Sequence, residues 1–118
     1  MIQKRVHLAG NCRGWFPTGI FLRTGQTVQI TATGLITFGP FGSWPFSPAG
    51  QADKSAGAGA PAPGQTANSL IARAGGEAQF IGASGSITAE SDAQLELTTN
   101  DDWVADNGGS WDVTLRLA

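Results

Sequence analysis

The sequence predicts an all-β fold, an antiparallel β-sandwich of about eight strands in the jelly-roll manner. Three observations carry that prediction. Seventeen glycines and six prolines cut the 118-residue chain so closely that only the Gly- and Pro-free windows 65–74 and 86–107 could hold a helix of ordinary length. Apolar residues recur with period two in run after run. Those runs are short and end in Gly, Asn, Asp or Pro, as sandwich strands do.

Taken in order, the strands read as follows. Val6-His7-Leu8 opens the series, and Gly19-Ile20-Phe21-Leu22-Arg23 follows. Thr24-Gly25-Gln26 turns the chain into Thr27–Ala32, where Val28, Ile30 and Ala32 share one face. Gly34 interrupts this run and Leu35–Phe38 resumes it. Then come Leu70–Ala72, Gln79–Ile81 and Ser86–Ala89. In the window 86–107, Ile87 and Ala89, then Leu95 and Leu97, keep period two, so a strand pair turning at Glu90–Asp92 is preferred to a helix. Gln94–Thr98 and Trp111–Leu117 complete the set. His7 is expected to face away from the core, and Trp111, with Val113, Leu115 and Leu117, to face into it.

One stretch resists this reading. Residues 39–68 show no credible strand and hold five of the six prolines. The expectation is a long Gly/Pro/Ala-rich loop, its aromatic first half ordered against the body and its small-residue second half, 55–64, mobile.

Composition bounds the function. Hydrophobic residues at 41% and charged ones at 14% belong to a folded globule, here a single domain over 1–118. No apolar run is long enough to insert in a membrane. A net charge of -2 with seven basic residues argues against a nucleic-acid partner. Cys12 is the only cysteine, so no intrachain disulfide forms, and with no base beside it in sequence it is a poor nucleophile. Met1–Arg5 lacks the apolar core of a signal peptide.

The acids gather instead: Asp101, Asp102, Asp106 and Asp112 fall within twelve residues. Thr99–Ser110 lies between two expected strands and reads as a hairpin-like loop at one end of the sandwich. Asp101, Asp106 and Asn107 offer hard oxygen ligands of the kind Ca²⁺ prefers, and Gly108-Gly109 lets the chain leave the site unstrained. Asn, Asp and Gly are equally the residues of any tight turn. Both readings stand on the residues alone, and the spacing is not that of an EF-hand.

Over nearly its whole length the chain resembles the PA-I-type galactophilic bacterial lectins and their wider relatives, calcium-dependent β-sandwich lectins. The matching pieces are Thr18-Gly19-Ile20, Gly25–Ile30, Ala32-Thr33-Gly34, Phe38-Gly39-Pro40, Trp44, Ser69–Gly75, Phe80-Ile81-Gly82, and Asn100-Asp101 followed by Asp106–Val113. The resemblance implies a galactose-binding-lectin type of sandwich that recognises a terminal sugar, galactose or a similar monosaccharide, through vicinal hydroxyls on Ca²⁺. It implies Asp101, Asp106 and Asn107 as side-chain ligands, with carbonyls from Phe38 and from Trp103 or Val104. A shallow monosaccharide site gains useful avidity from repetition, so a homo-oligomer, dimer or tetramer, or tandem modules are expected, with the compartment left open and a role outside the cell or at its surface expected. Two departures stand out: Asp101 to Asp106 is two residues tighter than in the galactose-specific member, and that member's sugar-contacting His-Pro-x-x-Gln is absent. Gln51 and Asp53 are the candidates to replace it.

Trp44, Phe41 and Phe46 are candidates for a platform under a sugar's apolar face, Trp44 first among them, or for a cover over one end of the core or an oligomer contact. Trp103, inside the acidic loop, is a further sugar-contact candidate. Trp15 and Phe16 are expected to pack. A glycosidase needs two carboxyls on opposite sides of the scissile bond, and neighbours such as Asp101 and Asp102 do not supply that, so a binding protein and not an enzyme is expected. The other readings left standing are a calcium-stabilised structural or protein-binding module, and an accessory carbohydrate-binding module of a larger enzyme.

Overall fold

The computed structural model describes residues 2–38 and 44–117, Trp44 by its backbone alone. Its described residues form eleven strands: β1 (Ile2–Ala9), β2 (Phe16–Leu22), β3 (Thr27–Phe38), β4 (Trp44–Phe46), β5 (Gln51–Ser55), β6 (Thr66–Ala67), β7 (Leu70–Arg73), β8 (Gln79–Phe80), β9 (Ser84–Thr88), β10 (Ala93–Thr99) and β11 (Gly108–Leu117). No helix is present among them. One sheet runs β1-β11-β3-β4, with β9 also on β3; a second runs β2-β10-β7-β8; β5 and β6 form a small pair. All pairings are antiparallel.

Period two decides which side chains meet between the sheets. Val28, Ile30, Ala32, Trp111, Val113 and Leu115 come from the larger sheet, and Ile20, Leu22, Leu70, Ala72, Leu95 and Leu97 from the smaller. Their neighbours point outward: His7, opposite Asp112 in the β1–β11 register, is exposed, with its Nδ1 2.9 Å from Asp112 Oδ1. β3 is the spine of the larger sheet. It pairs with β11 from Val28 to Thr37 on one edge, and with β9 and then β4 on the other. Gly34 does not break it. A φ of +106° there, with Ser110 O 2.6 Å from where a Cβ would stand, explains why a glycine sits mid-strand.

Three expectations are corrected. The turn at Glu90–Asp92 does not join paired strands, because β9 belongs to the larger sheet and β10 to the smaller. For the same reason 99–110 is not a hairpin loop but a crossing between sheets. And 39–68, read as free of strands, contains β4, β5 and β6. Its second half is not loose: the Ala56 amide donates to Gln65 O at 2.8 Å, the Gly64 amide donates to Ala56 O at 2.9 Å, and Ala60 and Ala62 are buried. Small side chains here allow close packing of a turn onto the body. Phe41 lies outside the described residues.

At the end of the sandwich remote from the crossing, Asp92 Oδ1 accepts from the Thr24 amide at 2.8 Å and from its hydroxyl at 3.1 Å. These bonds favour the carboxylate and hold its pKa below the usual aspartate range. The folded pKa being the lower one, the tie contributes stability above the ordinary aspartate pKa and loses it as pH falls through the folded value. Asp92→Asn is therefore expected to flatten the acid limb of a stability-against-pH curve, read by urea unfolding between neutral pH and acid. The same assay should show Leu95→Ala losing about 2–5 kcal/mol. Phe21→Ser, at a side chain that is 72% exposed, should change stability by less than about 0.5 kcal/mol.

Candidate functional site

Residues 100–107 carry the chain from β10 in one sheet to β11 in the other, over one end of the core. A buried asparagine anchors each end of this crossing. Asn107, the downstream anchor, receives a turn: its amide donates to Val104 O at 3.0 Å. Its Nδ2 donates to Gly10 O at 3.0 Å and to Asp101 Oδ2 at 2.9 Å, which uses both amide protons. Gly10 must be small for this, because a Cβ there would stand 2.7 Å from Ile36 Cγ2 and 3.0 Å from Gly108 O. Asp101 Oδ1 accepts from the Trp103 amide at 3.1 Å, which curls the loop around the carboxylate. One atom is left over. Asn107 Oδ1 is buried and has no hydrogen-bond partner.

Asn100, the upstream anchor, is 1% exposed. Its Oδ1 accepts from the Ala62 amide at 2.9 Å, and its Nδ2 donates to the carbonyls of Ala62 and Thr66, each at 3.0 Å. Its main chain adds two bonds, from the Asn68 amide to Asn100 O at 3.0 Å and from the Asn100 amide to Ser69 O at 2.8 Å. Asn100 thereby clamps the 56–66 turn beside the crossing. Between them lies a cavity of about 330 Å³ lined by Lys54, Ser55, Asn68, Asn100, Asp101 and Asp102 among others. A second, of about 240 Å³, lies on the other side of Asp102, against Arg13, Trp103 and Val104.

The expected residues sort themselves as follows. Asn107 is bonded both to Asp101, through its side chain, and to Val104, through its main chain. Phe38 stands one residue past the Thr37–Gly108 pair, at the level of Asn107, its ring buried 6.2 Å from Trp111 and 6.0 Å from Phe46. Asp106 is exposed on the turn before Asn107, and no bond ties its side chain to Asp101 or Asn107. Trp103 is 67% exposed. Trp44 pairs with Phe38 along the backbone; its side chain lies outside the described residues. Phe46 proves to be a cover for the core, half-buried, with its carbonyl accepting from Trp111 Nε1 at 3.1 Å. Gln51 reaches the larger cavity indirectly, its Oε1 accepting from Asn68 Nδ2 at 3.4 Å, whereas Asp53 is exposed on β5 and does not line it.

Sequence reading missed Asn68, Asn100 and Lys54. Asn68 holds a left-handed φ of 57°, which asparagine tolerates better than most residues, but nothing local announces it. Asn100 stood in the matched block without a role, because its partners lie 34 to 38 positions away.

As a donor set the loop fits a hard cation. Asp101 keeps lone pairs beyond the two it uses, and Asn107 Oδ1 is fixed as an acceptor, since flipping the amide would lose both Nδ2 bonds. Among the described residues no three His, Cys, Asp or Glu side chains gather, so amide and main-chain oxygens would have to complete such a shell.

Among solved structures, one described as the EclA N-terminal domain, a PllA-like lectin, superimposes on this chain with a TM-score of 0.75. The likeness covers 97% of this chain and 95% of that one at 21% sequence identity. The fold is that of a PllA-like lectin. No protein-family model matches the sequence, nor does any curated protein. The architecture expected from the resemblance to galactophilic lectins and the architecture found are thus the same, two antiparallel sheets closed over one core.

Removing the upstream clamp should loosen one wall of the site. Asn100→Ala is expected to cost about 2–4 kcal/mol by leaving one amide and two carbonyls short of partners. Hydrogen exchange should show the Ala56, Gly64 and Gln65 amides opening well before the β3 and β11 amides.

Proposed function

We propose that this chain is a calcium-dependent lectin that takes a terminal sugar, galactose among the candidates, at the sheet-to-sheet crossing. The observation that carries the reading is the unpartnered, buried Oδ1 of Asn107 beside the Asp101 carboxylate, with an exposed tryptophan two residues from that carboxylate. A shared fold with a PllA-like lectin supports the same class.

In this reading Asp101 and Asn107 hold the ion with one carboxylate and one amide oxygen. Asp106 brings a second carboxylate from the adjoining turn, and the carbonyls of Phe38 and of Trp103 or Val104 complete the protein's share. Bound there, Ca²⁺ supplies a fixed charge that polarises vicinal sugar hydroxyls. The remaining work falls to the chain. Asp101 accepts hydrogen bonds from the same hydroxyls, and Trp103 offers its ring to the apolar C–H face. Gln51 with Asn68 reaches the outer hydroxyls in place of the missing His-Pro-x-x-Gln. The Trp44 backbone pairs with Phe38 at the same end of the sandwich, which keeps Trp44 a candidate contact. Asp53 is the weakest of the expected contacts, being off the cavity wall.

This is binding without chemistry: Asp101 and Asp102 are consecutive on one loop, not opposed across a substrate. A shallow site of this kind gains avidity from repetition, which a homo-dimer, a homo-tetramer or tandem modules would supply.

Thermal unfolding in EDTA and in millimolar CaCl₂ tests the proposal. Calcium at about a hundred times its dissociation constant should add roughly 2.7 kcal/mol, a rise in Tm on the order of 10 °C. Asp101→Asn should remove most of that rise, and methyl β-galactoside added with calcium should give a further, smaller one. A Tm indifferent to calcium would reduce the loop to a turn stapled by Asn107 and defeat the reading.

A further inference from the structure

The face of the smaller sheet turned away from the core holds a cleft of about 480 Å³ that the crossing does not use. Arg73 and Glu96 are register partners on β7 and β10, on the face opposite Ala72, Leu95 and Leu97. Two segments are laid over this face. Gly14-Trp15 is fastened by the Thr98 hydroxyl, which donates to Gly14 O at 3.0 Å. Pro61-Ala62-Pro63 is held through Ala62 by Asn100. Gln65 ties the cleft to its far edge, with Nε2 donating to Ala78 O at 2.9 Å and Oε1 accepting from the Phe80 amide at 2.6 Å. Glu77 sits exposed on the rim.

We infer that this cleft is a second saccharide site, independent of calcium, that binds neutral sugars. Its central group is built in advance. The Arg73 guanidinium lies 4.4 Å from the Trp15 ring centroid, and its Nε donates to Glu96 Oε1 at 2.9 Å. Ion pair and stacking hold the fork in one place, yet its terminal amino groups and the Trp15 indole N–H have no partner among the described residues. The side chain remains 40% exposed, so the fork is accessible.

The chemistry selects the ligand. Glu96 already neutralises Arg73, and Glu77 adds a negative charge at the rim, so a phosphate or carboxylate gains little. A hydroxyl both accepts and donates. Sugar hydroxyls can therefore accept from the Arg73 amino groups and the Trp15 N–H while donating to Glu77. The proline rings and Trp15 flank them with apolar surface for C–H groups. The volume lies within the range of small-molecule sites. The ligand class follows from the cleft itself and does not rest on the metal loop.

The test is an NMR titration of the whole chain in EDTA with lactose, maltose, cellobiose and sialyllactose, following the indole N–H signals. Trp15→Phe identifies the Trp15 signal by its loss. At least one neutral disaccharide is expected to move that signal saturably in the millimolar range, and sialyllactose no more strongly than lactose. Arg73→Lys keeps the charge beside Glu96 but loses the fork, and should weaken binding about five-fold. A Trp15 signal unmoved by every neutral sugar, a response unchanged in Arg73→Lys, or a clear preference for sialyllactose would each overturn the inference. Repeating the titration in calcium separates the two sites. If only the Trp103 signal moves, this inference falls and the proposed function stands; if only Trp15 moves, the reverse holds.

Discussion

A chain that must cross from one sheet of a sandwich to the other over the end of the core exposes its backbone where packing is thinnest, and the candidate site depends on how residues 100–107 meet that constraint. They meet it with buried carboxamides. A carboxamide has two protons and an oxygen, enough to hold several main-chain groups from different parts of the chain at once. Asn100 uses that capacity to clamp the 56–66 turn, and Asn107 uses half of it to bind Gly10 and Asp101. What Asn107 leaves unused is a buried oxygen with nothing to accept, and at the end of β10 the Thr99 hydroxyl oxygen is likewise buried without a partner. A buried acceptor without a partner is costly, and sites of function are where such a cost is tolerated.

The sheets act as the frame. β3 and β11 pair over ten consecutive residues, which places Gly108 against Thr37 and so delivers Asn107 next to Phe38. The aromatic group of Phe38, Phe46 and Trp111 closes the core directly beneath, with the Trp111 N–H satisfied by Phe46 O. A rigid floor under a loop stapled at both ends can present oxygens without reorganising on binding. The outer face of the smaller sheet shows the same economy of design, since the segment that Asn100 clamps is also the proline wall of the second cleft.

Much of this was legible in the sequence, and the physical reason is periodicity. Side chains on a strand alternate, so Val28, Ile30 and Ala32, or Trp111, Val113 and Leu115, declare a buried face without knowledge of what they bury against. The acidic loop was equally visible, since four aspartates in twelve residues mark a place where negative charge is concentrated. Pairing was not legible. Glu90–Asp92 and Thr99–Ser110 both look like hairpin turns, because a turn between paired strands and a corner between sheets draw on the same Asn, Asp and Gly. Nor did 39–68 announce β4 to β6: strands of two to five residues, one of them carrying Pro45, are too short for alternation to show.

The sequence by itself therefore determined the fold class, the core faces and the chemical character of the loop at 101–107, since each rests on local alternation or local composition. Tertiary structure alone decided which residues share the site. Asn100 meets Ala62, Asn107 meets Gly10, and Arg73 meets Trp15 and Glu96 across separations of 23 to 97 residues. Such meetings follow from strand order and register, which no local pattern encodes. Phe46 shows the same division in one side chain: its composition suited a sugar platform or a core cover, and only the register that sets it opposite Ile36 and against Trp111 turned it inward.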